Sequence, residues 1–304
     1  MNPPQASHTS DYVLIVNYHS TKYVRRVLNT LPEDVRVVIV DNFSTKEERS
    51  RVLDLQSDRV LVLPNENNGF AGGVNVGNRA IDPSCSVVLV NPDVEFLPGA
   101  YHHLISKSRE NNLDIASPCI LQNYEGEIWY CGGRIRASDL MVVHTNMGEI
   151  MPMCDALKET EFISGCVVYL SAAARKSLLP LDESMFMYYE DVLMSLDAKR
   201  SGIKMHLVTG SRVIHSEGAT SRSNVTRRSA LYHYYQARNR YLVSRRIGWN
   251  YYLRALLTLP LVLAVQIGRI IKNEGFSVNN LLAAILGNFD GILLRDGVSH
   301  RHIA

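Results

Sequence analysis

The first third of the chain alternates short aliphatic runs with longer stretches in which apolar positions recur at helical spacing. The aliphatic runs predict four β-strands, at residues 13–17, 35–41, 60–63 and 87–90. The stretches between them predict helices, at residues 22–31, 46–56 and 72–81. Because short strands that alternate with helices form βαβ units, this part of the chain predicts a parallel sheet.

The middle third follows a less regular pattern. Residues 123–153 combine glycines, Trp129 and β-prone residues, which predicts either hairpins or a mobile loop region. Beyond them the pattern predicts a strand, two helices and two short strands, at residues 162–170, 171–178, 190–200, 204–208 and 212–215. The second of these helices ends at Ser201-Gly202, which is an ordinary stop signal.

The last third is helical, basic and increasingly apolar. Residues 231–247 predict a helix rich in basic and aromatic side chains. The fourteen residues at 255–268 carry no charge and contain Pro260. That run is shorter than the roughly 20 apolar residues of a bilayer-spanning helix. A second apolar stretch covers residues 278–294. Two interpretations stay open: ordinary packing helices, or amphipathic helices that lie in the membrane interface.

Charge is distributed unevenly along the chain, whose net charge is only +2. Residues 199–254 contain twelve Lys and Arg residues and one acid, Glu217, so this segment carries +11 and the remainder −9. Such a segment attracts phosphates, whether they belong to a nucleotide, a nucleic acid or a membrane lipid. Its position just before the apolar stretches favours the interfacial interpretation.

Cysteine usage and the N-terminus bear on the compartment. The five cysteines form no C-x-x-C pair, so the sequence indicates neither a zinc site nor a dithiol redox motif. An odd number of cysteines suits a reducing cytosol. Residues 1–11 are polar and lack the apolar core of a signal peptide, which predicts a flexible tail.

The strongest single indication of chemistry is the Asn-Pro-Asp sequence that follows the predicted strand at 87–90. In open α/β folds, ligands bind just beyond the carboxyl ends of the strands. Asp93 stands at such an end, where a carboxylate can hold a divalent cation against the phosphates of a ligand. The alternative is that Asp93 only opens a turn.

Two other strand ends carry candidate ligand contacts. Tyr18 follows the first strand and Asp41 ends the second, where they can stack on a base and accept a hydrogen bond from it. Core or capping roles are the alternative for both. The segment at 65–75 is rich in glycine and opens a helix, so its backbone N–H groups can approach a phosphate. It matches neither a G-x-G-x-x-G motif nor a P-loop, and a simple glycine-rich turn is its alternative.

Further candidates lie in the second half of the chain. Glu190 and Asp191 follow an apolar-aromatic run and open a helix. A carboxylate in an apolar pocket is a plausible general base, whereas helix capping is the alternative. His215 ends a strand, where it can serve as a metal ligand or have only a structural role.

In chain order, these motifs resemble those of family 2 glycosyltransferases, and more narrowly the bacterial rhamnosyltransferase-like branch. The resemblance covers residues 12–240. The motifs are V-N-Y-H-S at 16–20, V-D-N at 40–42, N-N-G-F-A-G-G at 67–73, N-P-D at 91–93, I-S-G-C at 163–166, F-M-Y-Y-E-D at 186–191 and V-I-H at 213–215. Seven short motifs in the expected order are more specific than any one of them.

The resemblance implies an α/β protein of the GT-A nucleotide-diphospho-sugar transferase fold and an inverting, metal-dependent transfer. The residues expected to bind the donor are Tyr18, Asp41, Gly72, Gly73, Asn75, Asn91 and Asp93. Asn91 takes the place of the first carboxylate of the usual D-x-D motif. Mg²⁺ or Mn²⁺ is expected on Asp93 and His215.

For the acceptor, the resemblance implies that Asp191 deprotonates the attacking hydroxyl group. The residues expected to bind the acceptor are Glu190, Arg238 and Asn239. The chain departs from the family pattern behind the base, where Leu193 and Asp197 occupy positions that often hold Asp and Arg. The base is intact, but the helix behind it must be supported differently.

We therefore expect a flexible tail at 1–11, a catalytic domain at 12–240 and C-terminal amphipathic helices at 241–304. The donor half is expected at about 12–120 and the acceptor half at about 121–240. The expected reaction moves L-rhamnose from dTDP-L-rhamnose onto a polyprenyl-diphosphate-linked glycan in bacterial cell-surface polysaccharide synthesis. The expected location is cytoplasmic, at the inner face of the membrane. The basic loop at 216–228 is a candidate lid over the donor diphosphate.

Other functions fit parts of the pattern. A transferase that uses a UDP-hexose or UDP-galactofuranose has similar motifs. A sugar nucleotidyltransferase is disfavoured, because no G-x-G-x-R loop follows the first strand. The departures at Leu193 and Asp197 leave open an inactive nucleotide-sugar-binding membrane scaffold. Nucleic-acid binding is prompted by the basic segment, which contains no recognisable nucleic-acid module.

Overall fold

The computed structural model describes residues 11–152, 154–215, 228–274 and 277–299. Over these residues it contains a ten-stranded mixed sheet flanked by helices, a separate two-stranded hairpin and a C-terminal group of four helices. The strands are numbered β1 to β12 in chain order. Along the main sheet they follow the order β10-β12-β6-β11-β4-β1-β2-β3, while β5 pairs with β12 and β7 pairs with β6.

The N-terminal half of the sheet is parallel, as its alternating pattern predicted. Its strands are β1 (Tyr12–Asn17), β2 (Arg36–Asn42), β3 (Val60–Asn65) and β4 (Val87–Val90). The helices between them are α1 (Thr21–Thr30), α2 (Lys46–Leu53) and α3 (Gly69–Arg79). This confirms the predicted α/β class, and each predicted element lies within a few residues of its predicted position.

The second half of the sheet mixes directions. Strand β11 (Val167–Leu170) runs antiparallel between β4 and β6 (Ile115–Leu121), and β12 (Met205–His215) runs parallel to β6. The two strands predicted at 204–208 and 212–215 are thus one strand, with a register shift between Val208 and Arg212. The remaining strands at this end are β5 (Val94–Phe96), β7 (Ile128–Tyr130) and β10 (Leu157–Thr160).

The strand predicted to begin at residue 162 begins only at Val167. The reason is that the preceding backbone bonds to helix α6 (Glu190–Arg200) rather than to the sheet. Ile163 N–H donates to Ser195 Oγ at 3.1 Å, and Gly165 N–H donates to Asp191 Oδ2 at 3.2 Å. The two other helices of this half are α4 (Ala100–Glu110) and α5 (Ala172–Leu178).

The irregular region at 123–153 forms hairpins, which was one of its two predicted outcomes. It contributes β7 to the main sheet and forms a separate hairpin from β8 (Gly133–Ile135) and β9 (Val142–His144). Cys119 and Cys131 form a disulfide with Cα atoms 4.6 Å apart. The cysteine spacing did not predict this pairing, which differs from the thiols expected in a reducing cytosol.

The C-terminal helices are α7 (Ala230–Ile247), α8 (Trp249–Leu257), α9 (Leu259–Glu274) and α10 (Val278–Ile292). Helix α7 crosses residue 240 without a break, so the predicted domain boundary falls inside a helix. Helix α10 packs along α7, where Tyr241 donates to Asn288 at 3.0 Å and Tyr234 donates to Asp290 at 2.8 Å. Both contacts are buried, so the four helices are tied to the catalytic half through α7.

Within the described part of the chain, no single helix has the length and apolar character needed to cross a membrane. Helices α8 and α9 meet that criterion together, by length and composition, as a pair bent by 61°.

Candidate active site

A cavity of about 900 Å³ lies between the carboxyl ends of β4 and β12, the amino end of α6 and the helices α7 and α9. Both halves of the sheet and the C-terminal helices therefore contribute to its wall. The polar and aromatic residues that line it include Asn91, Trp129, His144, Glu190, Asp191, His215, Arg228, Tyr232, His233, Gln236, Arg240, Gln266, Arg269 and Lys272.

The loop that leads into α6 has an unusual backbone. Phe186, Tyr188 and Tyr189 adopt positive φ angles of 61°, 66° and 74°. Such a conformation is strained for a bulky side chain and persists only where the surrounding structure enforces it. In consequence α6 begins abruptly at Glu190, and the first two residues of the helix, Glu190 and Asp191, line the cavity.

Asn239 of α7 holds this loop from behind. Its side-chain amide donates to the carbonyl oxygens of Met185, Met187 and Tyr188 at 3.0, 2.7 and 2.9 Å. Arg238 adds a bond to Met185 O at 2.9 Å and another to Gly297 O at 2.7 Å. Both α7 side chains are fully buried, so they fix the loop rather than contact a ligand.

Gly69 holds the loop from the other side. Phe70 N–H donates to Phe186 O at 2.9 Å, and Gly69 has a φ of +82°. A Cβ atom at Gly69 would overlap the carbonyl group of Phe186. Glycine is therefore required here both by the backbone angle and by the close approach of the two chains.

Asp191 lies at the start of α6 and faces the segment at 163–166. Its Oδ2 accepts from Gly165 N–H at 3.2 Å and its Oδ1 from Val192 N–H at 2.8 Å. Burial raises the pKa of this carboxyl group above its ordinary value, although the two N–H donors and the nearby His144 act in the opposite direction. The two N–H donors therefore fix the orientation of the Asp191 carboxyl group, and burial makes it a stronger proton acceptor than an exposed aspartate.

Glu190 occupies a more enclosed position. Its side chain is buried, and Oε1 has no hydrogen-bond partner among the described residues. Burial raises the pKa of Glu190 to about 8, with a further contribution from the negative charge of Asp191. Glu190 is therefore protonated at neutral pH, so it can donate a hydrogen bond where Asp191 accepts one.

Asp93 and His215 meet at the edge of the sheet, as the resemblance predicts for two metal ligands. Oδ2 of Asp93 lies 3.1 Å from Nε2 of His215, while Oδ1 of Asp93 is buried and has no hydrogen-bond partner among the described residues. Burial disfavours the charged form of His215, but Cys166 and Asp93 outweigh it and hold the pKa of His215 well above its usual value.

Asp93 and His215 together suit a divalent cation, because a carboxylate oxygen and an imidazole nitrogen are both ligands of divalent transition-metal ions. The unpartnered Oδ1 of Asp93 leaves an oxygen available. In the part of the chain that the structure describes, no group of three or more His, Cys, Asp or Glu side chains is placed to hold a metal. The remaining ligands would have to come from a bound diphosphate and water.

The predicted base-binding residues lie together at the ends of β1 and β2. Tyr18 is 48% exposed, so its ring face is accessible. Asp41 is fully buried, and its carboxylate accepts from Asn17 Nδ2 at 3.1 Å and from Arg49 Nε at 2.7 Å. Since a carboxylate has about four acceptor positions, these bonds leave room for a base N–H.

The predicted phosphate-binding residues of α3 lie against the protein instead. A Cβ atom at Gly73 would meet Val16 of β1 at 2.6 Å, and one at Gly72 would overlap the side chain of Asn68. Asn75 exchanges hydrogen bonds with the backbone of Leu181, at 2.7 and 2.9 Å. These contacts give the three residues a role in packing α3 against β1 and the acceptor half, whereas the sequence interpretation had placed them at a phosphate.

Of the three predicted acceptor residues, one lines the cavity and two lie behind its wall. Glu190 lines the cavity, but Arg238 and Asn239 do not, because they are held behind the strained loop. The structure places Arg240 in the cavity wall instead. Residues 216–227 of the predicted lid lie outside the described residues. Arg228, the last residue of that segment, is exposed and lines the cavity.

Sequence reasoning also missed an aromatic group beside the metal pair. Trp129 of β7 lies 4.9 Å from the His215 ring, between ring centroids. His144 of β9 lies 3.0 Å through Nδ1 from the carbonyl oxygen of Trp129, and it stacks on Phe162. Since a carbonyl oxygen only accepts, Nδ1 of His144 donates. The short strands that carry these residues have no clear periodicity, so no signal linked them to the site.

Comparison with known proteins identifies the family and the fold. The model of the family "Glycosyl transferase family 2" matches residues 12–176, which is more than half of the 304 residues. The chain therefore belongs to the family 2 glycosyltransferases, and it is a transferase with a GT-A-like fold. The rhamnosyltransferase branch is not distinguished by this match.

Two curated relatives each match more than half of the chain. The low-salt glycan biosynthesis hexosyltransferase Agl10 of Haloferax volcanii is 27% identical over 246 residues, which cover 77% of this chain and 75% of that protein. The uncharacterized glycosyltransferase alr2836 of Nostoc sp. is 25% identical over 205 residues, which cover 58% of this chain and 63% of that protein. The second match thus spans less than two thirds of its relative.

Two solved structures share the fold. GalNAc-T7, crystallised with UDP, GalNAc and Mn²⁺, superposes with a TM-score of 0.56 at 17% identity over 68% of this chain and 44% of its own. Residues 1–349 of S. aureus TarS superpose with a TM-score of 0.54 at 13% identity over 93% of this chain and 81% of that one. At these identities the likeness shows the fold.

The close approach of Gly69 to Phe186 predicts a large effect of a small substitution. Gly69→Ala adds both a backbone strain and a clash with a carbonyl group, whereas Gly99→Ala adds only the strain, since a Cβ atom there meets nothing within 4 Å. We expect Gly99→Ala to lower the free energy of unfolding by about 1–2 kcal/mol. Gly69→Ala should cost about 1–3 kcal/mol more. Urea denaturation measures both, and equal losses would contradict the role of Gly69.

The raised pKa of Glu190 predicts a pH-dependent stability. Between pH 4.5 and about 8 the unfolded chain is ionised at this residue and the folded chain is not, so ionisation favours unfolding increasingly as the pH rises. Glu190→Gln removes this effect. We expect its free energy of unfolding, measured by urea denaturation, to match the wild type at pH 5 and to exceed it at pH 8 by a few kcal/mol, given about 1.4 kcal/mol per pKa unit.

The control for Glu190→Gln is Glu125→Gln, which changes an exposed carboxylate. It should have no effect at either pH. A stability difference for Glu190→Gln that is the same at pH 5 and pH 8 would show that burial does not keep this carboxyl group protonated.

Proposed function

We propose that this chain transfers a hexose from a nucleoside diphosphate-sugar to a hydroxyl group of a lipid-linked glycan, with inversion at the anomeric carbon. One observation carries the proposal. A single cavity is lined by Asp191, by a group of cations from α7 and α9, and by His215, whose Nε2 lies 3.1 Å from Oδ2 of Asp93. Those are the parts needed to hold a leaving diphosphate, activate a hydroxyl and bind an anionic acceptor.

Asp191 supplies the base. Its carboxylate is fixed by the N–H groups of Gly165 and Val192, and burial makes it a stronger proton acceptor than an exposed aspartate. Placed against the acceptor hydroxyl, it removes the proton as the new glycosidic bond forms. A positioned base of this kind contributes roughly 10²–10⁴-fold in rate. Glu190 next to it remains protonated and can orient a sugar oxygen.

The donor occupies the sheet edge on the other side of the segment at 163–166. Asn91 N–H donates to Cys166 O at 2.8 Å, which ties the Asn-Pro-Asp turn to the same segment that holds Asp191. When bound at Asp93 and His215, Mg²⁺ or Mn²⁺ offsets the negative charge that develops on the leaving diphosphate. Tyr18 and Asp41 are proposed to hold the base, at the ends of β1 and β2.

The sugar is proposed to be L-rhamnose, carried as dTDP-L-rhamnose. Support comes from the motifs at 91–93 and 186–191, which resemble the rhamnosyltransferase-like branch. The similarity to a hexosyltransferase of Haloferax volcanii is compatible with other hexoses. UDP-hexoses and UDP-galactofuranose are therefore the alternatives that a binding test must include.

The lipid-linked acceptor and the inner face of the cell membrane are proposed from the C-terminal helices. These helices expose a series of large apolar side chains: Leu253, Leu257, Leu261, Val265, Ile271, Leu282, Ile285, Phe289 and Leu293. Exposed cations lie on the same helices, at Arg254, Arg269 and Lys272. An apolar face flanked by cations matches the surface of an anionic lipid bilayer.

The donor proposal is tested by thermal unfolding in the presence of a panel of nucleoside diphosphate-sugars, with and without Mn²⁺. A ligand that binds only the folded state raises the apparent stability by mass action. We expect one dTDP- or UDP-sugar to raise the melting temperature of the wild type only with Mn²⁺, and not that of Asp93→Asn. Asp155→Asn, which alters an exposed carboxylate far from the cavity wall, is the control.

If no donor stabilises the wild type at millimolar concentration, the transferase proposal fails and the inactive scaffold gains support. Stabilisation that is unchanged in Asp93→Asn would remove the metal from the proposal and leave the donor site in place.

A further inference from the structure

One charged side chain of the cavity is buried with few hydrogen-bond partners. Arg240 of α7 is 1% exposed. Its terminal nitrogens donate to Thr258 Oγ1 and to Ala255 O, each at 3.3 Å, and its Nε has no hydrogen-bond partner among the described residues. The guanidinium lies over the Tyr241 ring, 4.5 Å from the centroid. Among the described residues, no carboxylate is within ion-pair distance of it.

Arg238, two residues earlier on α7, shows the contrast. It is equally buried, but its three nitrogens donate to Asn239, Gly297 and Met185 at 2.7–2.9 Å. The protein itself therefore satisfies Arg238 and does not satisfy Arg240. Because a guanidinium stays charged at all accessible pH values, the incomplete partnering of Arg240 is costly unless an anion joins it.

Two further cations face the same space. Arg269 and Lys272 lie three residues apart on α9, so they share a face of that helix. Both are exposed and both line the cavity. Among the described residues, the carboxyl groups that line it are Glu190 and Asp191, and Glu190 is neutral below about pH 8. At neutral pH this end of the cavity therefore carries an excess of positive charge.

This cationic end is separate from the donor end. Asp93 and His215 belong to the sheet edge, whereas Arg240, Arg269 and Lys272 belong to the C-terminal helices. Arg240 is close enough to Tyr189, which precedes Glu190 and Asp191, to oppose the rise that burial causes in the pKa of that phenol. Glu190, Asp191 and the three cations all line the same cavity.

We propose that Arg240, Arg269 and Lys272 form a subsite for the phosphate or diphosphate group of the acceptor. This inference rests on the proposed transferase function and names the chemical group by which the acceptor is recognised. The guanidinium groups bind phosphate oxygens in a bidentate manner, and the lysine adds a point charge. Binding supplies Arg240 with the anion that the folded chain lacks.

The test measures binding of two probes, inorganic pyrophosphate and geranyl diphosphate, to the full chain by calorimetry. Both titrations are made in EDTA without any donor, so that a metal-dependent donor site does not contribute. We expect Arg269→Gln and Lys272→Gln each to weaken both probes by about tenfold, as for the loss of a charge-assisted hydrogen bond. Arg254→Gln removes an exposed arginine that does not line the cavity, and it should change the affinity less than twofold.

Arg240→Met gives a second readout, independent of the surface cations. If Arg240 binds the phosphate group, its replacement by methionine removes a buried charge, so the variant without ligand should melt at or above the wild-type temperature. The variant should also lose the increase in melting temperature that pyrophosphate causes in the wild type. A lower melting temperature together with an unchanged pyrophosphate effect would mean that Arg240 is only structural, and would overturn the subsite.

The two probes also identify the source of the phosphate. Tighter binding of geranyl diphosphate than of pyrophosphate assigns the subsite to a lipid carrier, and equal affinities assign it to a soluble phosphorylated sugar. Equal binding by Arg269→Gln, Lys272→Gln and the wild type would overturn the proposal. Donor binding with Mn²⁺ is measured on the same variants and should be unchanged, so a failure of the transferase proposal is seen separately.

Discussion

The left-handed backbone of Phe186, Tyr188 and Tyr189 is the constraint on which the site depends. Each such residue costs about 1–3 kcal/mol, so the conformation has to be enforced from outside. Asn239 enforces it through three hydrogen bonds to carbonyl groups, and Gly69 does so by a contact that leaves no space for a Cβ atom. The result is a helix that starts with two carboxyl groups in the cavity wall.

Those two carboxyl groups differ because their surroundings differ. Asp191 accepts from two backbone N–H groups, which oppose the rise that burial causes in its pKa. Glu190 has an oxygen without a hydrogen-bond partner among the described residues, and burial raises its pKa to about 8. The strained loop thus places two buried carboxyl groups side by side, in different hydrogen-bonding environments.

The C-terminal helices contribute side chains to the cavity wall. Helix α7 supplies the residues that hold the loop, and α9 supplies Arg269 and Lys272 to the cavity wall. A domain boundary at residue 240 would cut the helix that makes both connections. The exposed apolar face of α8–α10 and the cationic end of the cavity are therefore on the same unit, which suits an acceptor that combines a lipid with a phosphate.

The sequence was sufficient for the parallel half of the sheet, because strands and helices alternate there. The family resemblance, and not the strand pattern, was needed to expect Asp93 beside His215. The sequence was insufficient for residues whose role depends on helix phase. Arg238 and Arg240 have the same charge and lie two positions apart, and only tertiary contacts decide which one reaches the cavity. The glycines of α3 were misleading for a similar reason, since close packing and phosphate binding both require glycine.

The role of Asp191 as the base is tested most directly by single-turnover transfer with Asp191→Asn, made together with donor binding on the same sample. We expect the rate to fall by roughly 10²–10⁴-fold, as for the loss of a general base. Donor affinity should stay within twofold of the wild type, because Asp191 lies on the acceptor side of the segment at 163–166. A rate close to the wild type would contradict the assignment of Asp191 as the base, and so would a loss of donor binding that accounts for the whole effect.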